Sequence, residues 1–105
     1  MNNETREFHM VAIRTSNSGV AEGWSRGTAC RNGNGSFSTD GRNLFSYSQK
    51  IGFTSPDGRK VLVEYTAATG HFISQTTSGK HISPARRVAD EVMHPSIFKS
   101  LEGVS

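Results

Sequence analysis

Residues 32–63, NGNGSFSTDGRNLFSYSQKIGFTSPDGRKVLV, hold two stretches of alternating apolar and polar residues, each closed by an Asp-Gly pair. From Phe45 the odd positions are Phe45, Tyr47, Gln49, Ile51 and Phe53, with Ser46, Ser48, Lys50, Gly52 and Thr54 between them. Beyond Ser55-Pro56-Asp57-Gly58-Arg59 the apolar set continues at Val61, Val63 and Tyr65. Successive side chains of a strand point to opposite faces, so the pattern predicts an antiparallel hairpin with one buried and one wet face. Pro56-Asp57 suits a type I turn, and Gly58 the positive φ of a bulge. With Ser55 opposite Arg59, Phe53 faces Val61, Ile51 faces Val63 and Gln49 faces Tyr65. A one-residue slip would drive the apolar set into water, so turn and pattern agree on the register.

The rest of the chain is read around this hairpin. Residues 1–6 and 102–105 are polar ends expected to fray. Residues 7–14, EFHMVAIR, have apolar side chains on both faces and read as a first strand. Residues 15–23 read as a Ser/Asn/Gly loop, 24–31 as a short second strand, and 71–76 as a last, weaker one. Ser83 before Pro84 suits a helix N-cap, and Ala85, Val88, Ala89 and Val92 recur at helical spacing until Pro95 stops them. The helix is expected to cover Phe45, Tyr47, Ile51, Phe53, Val61, Val63 and Tyr65. The expected fold is therefore α+β, one domain over 1–105, with an antiparallel meander of about five strands and a C-terminal helix on one face. An open sheet leaves edge strands, so a homodimer through residues 7–14 or the last strand is open to it.

At 105 residues, 33% of them hydrophobic and 11 of them Gly, the chain can bury one thin core. No apolar run approaches the roughly 20 residues of a membrane span, and no apolar leader is seen, so a soluble protein acting inside the cell that makes it is expected. Cys30 is the single cysteine, which leaves no internal disulfide and no cysteine-rich metal site. It reads as a small half-buried strand residue, or as a thiol activated by Arg26 and Arg31.

The net charge is +3. Residues 24–60 concentrate it, with Arg26, Arg31, Arg42, Lys50, Arg59 and Lys60 against Asp40 and Asp57. Arg26, Arg42, Lys50, Arg59 and Lys60 make a candidate basic face for phosphate or an acidic protein surface, or simply keep a small sheet soluble. Trp24 and Phe37 fall outside the alternation and read as exposed aromatic anchors beside these cations. The stronger candidate is the hydroxyl-rich stretch Thr76, Thr77, Ser78, Lys80 and His81 leading to a helix start, with Arg86 and Arg87 in the first turn. Backbone N–H groups there suit an anion, and a bound one would offset two arginines set against the helix dipole. The alternative is a capped helix with solvated arginines. Gly79-Lys80 is not a phosphate loop, since Ser74 stands where the first Gly belongs. The four histidines have no short ligand spacing, and no nucleophile elbow or paired acid occurs, so neither metal, cofactor nor catalytic residue is assigned.

The blocks GNGSFSTDGRNLFSYSQKIG, DGRKV, YTAATG and SQTTSGKH, with the Ala89-Asp90 pair, occur in an order that resembles a family of small tailed-bacteriophage proteins carrying a domain of unknown function. The resemblance spans roughly residues 24–92. It implies a viral product in the host bacterial cytoplasm and supplies no catalytic residues. The expected function is a non-enzymatic accessory protein that binds a host or viral protein or nucleoprotein, inhibition of a host defence complex in the manner of anti-CRISPR proteins being one form. The alternative is direct nucleic-acid binding by the basic face and the 76–87 segment.

Overall fold

Ser55 N–H donates to Arg59 O at 2.9 Å and Gly58 lies at φ 88°, closing the turn as its residues dictate. The flanking strands, β5 (Gln49–Thr54) and β6 (Lys60–Val63), pair antiparallel with Phe53 opposite Val61 and Gly52 opposite Leu62. This is the register read from the sequence. The computed structural model describes residues 13–66, 69–71 and 73–104, for 102–104 the backbone only. Before the hairpin come β1 (Ile13–Arg14), α1 (Asn17–Arg26), β2 (Cys30–Arg31), β3 (Phe37–Thr39) and β4 (Leu44–Ser46). After it come a π-helical segment (Thr77–Ile82) running into α2 (Ser83–Val88), then β7 (Glu91–Met93) and α3 (Pro95–Val104).

The fold is α+β, and among the described residues seven strands form one mixed sheet in chain order. The antiparallel meander runs from β2 to β6, and a parallel strand is added at each edge. Parallel neighbours need a crossover, usually helical. One such crossover carries α1 between β1 and β2, and the other carries the π segment and α2 between β6 and β7. The strand expected over residues 7–14 lies outside the described residues apart from Ile13 and Arg14.

α1 replaces the expected loop and second strand. Ser16 caps it, its Oγ accepting from Gly19 N–H at 3.1 Å, and Gly27 ends it in the left-handed region. Val20, Ala21 and Trp24 fall on one helical face and are all buried. Gly23 weakens helix propensity, yet a Cβ there would stand 2.3 Å from Cys30 Sγ, so packing requires the glycine. Trp24 reaches the sheet where Gly52 leaves a gap: a Cβ on residue 52 would lie 2.9 Å from Trp24 Cζ2 and 3.1 Å from Leu44 Cβ. The indole Nε1–H donates to Arg42 O at 3.1 Å.

The expected wet face of the hairpin is therefore covered. All four residues of β6, Lys60, Val61, Leu62 and Val63, are buried. α1 and α2 lie side by side over the face carrying Leu44, Gly52 and Leu62, while α3 sets Phe98 against Phe53 on the other, with ring centroids 5.8 Å apart. A strand buried on both faces reads as a continuous apolar run, which Val61-Leu62-Val63 is. The single helix expected to end at Pro95 stops at Val88, and Pro95 opens α3 instead. Between them Asp90 meets the edge of β6, its N–H donating to Lys60 O and its Oδ2 accepting from Lys60 N–H, both at 2.8 Å. Pairing of β7 with that open edge outweighs the helical spacing, and Val92 stays exposed. Ser83 is not a cap, because it lies inside a helix that starts at Gln75. Ser74 takes that role, its Oγ accepting from Thr77 N–H at 3.1 Å, and the described residues of the expected strand over 71–76 form none. Pro84 has no N–H to close an α turn back to Lys80, and the wider π spacing sits where that ladder is interrupted. Residues 102–104 continue α3.

Gly52→Ala is expected to cost about 1–3 kcal/mol, the range for overpacking a filled core. Replacing Trp24 by Leu in that background should recover part of the loss. Urea unfolding followed by circular dichroism checks both, and a Gly52→Ala protein as stable as the parent would show that the indole can move aside.

Candidate functional site

The residues singled out in the 76–87 segment do not form one exposed cluster. Thr77 and His81 turn inward and are buried, Thr76 and Ser78 are half-buried, and Lys80, Arg86 and Arg87 are exposed. A π or α helix spreads consecutive side chains around its axis, so a run of polar residues cannot all face one ligand. Arg86 is ion-paired with Glu64, and Arg87 lies with Ser18, Glu22 and Val88 along a shallow groove between α1 and α2. Lys80 has no ion-pair partner among the described residues.

The inward pair builds a polar junction between helix and sheet. Ser46, the last residue of β4, places its Oγ 2.7 Å from His81 Nδ1 and 2.8 Å from Thr77 Oγ1, and Ser74 Oγ donates to Thr77 Oγ1 at 3.0 Å. Phe37 stacks on the His81 ring, 4.4 Å between centroids and 6° from parallel. Burial pushes the His81 pKa down, because the charged imidazolium loses its water without gaining a carboxylate. Among the described residues no acidic group is hydrogen-bonded to His81. The Ser46–His81 distance is that of a nucleophile and its base. Yet each residue is 1% exposed, so the pair cannot meet a substrate there and instead fastens the π segment to the sheet.

Tyr47 follows immediately and does the opposite. With Ser48 it makes the two-residue loop between the paired Ser46 and Gln49. Its φ is 56°, the described non-glycine residue with positive φ, as the first central position of a II′ turn demands. Glycine is the usual occupant, and a bulky side chain there is strained by about 1–2 kcal/mol. The phenol ring is 57% exposed and lies 5.8 Å from the His81 ring, tilted 53° to it. The alternation hid this turn, since Phe45 to Phe53 reads as one unbroken strand and Tyr47 stands where the turn would call for glycine, with only Ser48 a turn residue by type. Expected as core, Tyr47 is the exposed aromatic. Trp24 and Phe37, expected as exposed anchors, are both fully buried, because α1 and the His81 ring cover them.

The expected basic face is also largely spent. Arg26 pairs with Glu22 at 3.0 Å and Arg59 with Glu91 at 2.8 Å. Lys60 is buried, its Nζ donating to Gly41 O at 2.9 Å and Thr54 Oγ1 at 2.7 Å and lying 5.9 Å from the Trp24 ring centroid. Burial, and then the neighbouring Arg42 charge, lower its pKa. Arg42 and Lys50 remain without ion pairs among the described residues. Cys30 is buried rather than activated, and burial pushes its thiol pKa up. Among the described residues no group of three or more His, Cys, Asp or Glu is placed to hold a metal ion. No helix of those residues is long and apolar enough to cross a membrane. No protein-family model, curated protein or solved structure matches the chain.

His81 sets an acid limit. A histidine whose folded-state pKa is depressed stabilises fully above its unfolded pKa of about 6.5, and that contribution is lost as pH falls through the folded value. The melting temperature should therefore begin to fall as the pH drops below about 6.5. His81→Gln, which keeps a partner for Ser46, should flatten that slope; equal slopes for both proteins would assign it to other groups.

Proposed function

We propose that the protein is a phage-encoded, non-enzymatic accessory protein of the host bacterial cytoplasm that docks on a host or viral macromolecule through the Tyr47 turn and the adjoining outward side of the 75–80 helix. Blocking a host defence nucleoprotein complex is an activity of this kind, which needs a small rigid surface and no catalytic group. The observation that carries the reading is Tyr47. A strained backbone persists only when its surroundings over-determine it, and such strain concentrates at functional positions. Here glycine would supply the same turn without strain, and the one ring contact that tyrosine adds, to His81, does no more than offset that strain. What it gains is a large, two-torsion aromatic held outward on a buried polar junction, the kind of side chain that anchors interfaces. Lys80, one residue from His81, adds on the exposed side of the helix a cation with no ion pair among the described residues.

Direct nucleic-acid binding is less well supported by the same geometry. Of the five residues of the expected basic face, Arg26 and Arg59 are matched by carboxylates and Lys60 is buried, which leaves Arg42 and Lys50 of that face to displace counterions from a phosphate backbone. The two readings separate by salt, since a nucleic-acid complex weakens steeply between about 50 and 200 mM and a protein complex anchored by an aromatic does not.

The test is a paired pull-down from host lysate with the parent and Tyr47→Gly, together with their unfolding curves. Tyr47→Gly should keep stability within about 1 kcal/mol, relief of backbone strain offsetting the lost contact with His81. Partner affinity should drop by roughly 30-fold, the cost of removing an interface anchor. Equal recovery of the same partners by both proteins would overturn the proposal.

A further inference from the structure

A second surface lies on the opposite face of the sheet and owes nothing to Tyr47. α3 crosses that face with Phe98 turned in against Phe53, and beside the contact a cleft of about 260 Å³ opens, lined by Asn43, Lys50, Phe53, Thr54, Phe98 and Leu101. Its apolar wall comes from the two phenyl rings and Leu101, which is 54% exposed on α3, with Ile97 one turn earlier likewise exposed. The polar lining is unevenly occupied. Thr54 Oγ1 donates to Arg42 O and accepts from Lys60, and Asn43 Nδ2 donates to Asp40 Oδ2. Lys50 is the charged member of the lining, half-buried, and its ammonium has no hydrogen-bond or ion-pair partner among the described residues. Of the other cations, Arg26, Arg59 and Arg86 have carboxylates and Lys60 has two oxygen acceptors, while Arg42 and Lys80, which also lack ion pairs among the described residues, do not line this cleft.

We infer that this cleft is a docking site for an acidic peptide segment of a partner protein, one that inserts a phenylalanine or leucine between Phe53, Phe98 and Leu101 and sets a neighbouring carboxylate on Lys50. The volume decides against a small-molecule pocket, which typically occupies roughly 300–1,000 Å³ and encloses its ligand. A space of this size, open along the helix, admits one large side chain. The charge decides the chemistry: a partly desolvated ammonium next to apolar carbon is complementary to a carboxylate and repels a basic segment.

The test uses two blocked pentapeptides, Glu-Phe-Glu-Leu-Glu and the same sequence with lysine for glutamate, titrated into isotope-labelled protein and followed by amide shifts. The acidic peptide should move the signals of Lys50, Phe53, Phe98 and Leu101, and the basic one should not. Lys50→Gln should weaken the acidic peptide about tenfold, the worth of one charge-assisted contact. Lys50→Glu should reverse the preference, while unmoved signals elsewhere show that the fold is intact. Equal binding of both peptides, or shifts confined to other surfaces, would overturn the inference. So would shifts at these residues on concentrating the protein alone, which would assign the cleft to a second copy of the chain.

Discussion

The seat of Trp24 on Gly52 is the contact on which the rest of the structure depends. A fully buried indole is among the largest single contributions a core of this size can have, with truncation costing about 3–5 kcal/mol in general. It fits because the central strand of the hairpin offers a residue with no side chain at the point of contact. The same indole ties three separate segments together. Its Nε1–H holds the Arg42 carbonyl of the β3–β4 loop, Thr54 Oγ1 donates to that same carbonyl, and the Lys60 ammonium rests near the ring. α1 is thereby fixed over the middle of the sheet, and β1 and β2, which it connects, are brought alongside one another.

The second crossover is fastened differently. Where α1 uses shape, the helix after β6 uses polarity, with Ser46, Thr77, Ser74 and His81 bonded in a closed set and Phe37 stacked on the imidazole. Buried polar groups that all find partners specify a unique arrangement more sharply than apolar packing does, at the cost of tolerating no proton they cannot place. The junction also explains how a tyrosine can sit at positive φ one residue later. Ser46 is held from the helix side, Tyr47 N–H donates to Ser36 O at 2.7 Å, and the turn has no freedom to relax. Rigidity beneath and exposure above are together what an interface anchor requires.

Much of the sheet was legible and much of the helical layer was not. The hairpin register followed from Pro56-Asp57-Gly58 and period-2 alternation, because turn chemistry and strand pattern are local and agreed with each other. α1 carried its own signals, Ser16 as cap and Gly27 as stop. They were masked by Gly19 and Gly23, which disfavour a helix intrinsically and are tolerated only because Thr15 and Cys30 approach so closely. The 83–94 region misled in the opposite way. Its apolar spacing is helical, but the unpaired edge of β6 offered backbone hydrogen bonds that a helix beyond Val88 would have left unmet. Of the site, the helix segment around His81 was visible as a polar run before a helix. Ser46 and Tyr47 were not, since nothing about their types distinguishes a strand interior from a II′ turn.

The sequence by itself determined the α+β class, the central hairpin and its register, because these rest on interactions between residues close in the chain. Only the tertiary structure decided which aromatics are free. Trp24 and Phe37 look exposed and are covered, Tyr47 looks covered and is exposed, and Lys60 looks like part of a basic face and is enclosed. The physical reason is the same in each case. Burial and charge pairing depend on which distant segment arrives opposite a residue, as α1 does at Gly52, His81 at Phe37 and Glu64 at Arg86, and alternation along one strand carries no record of that arrival.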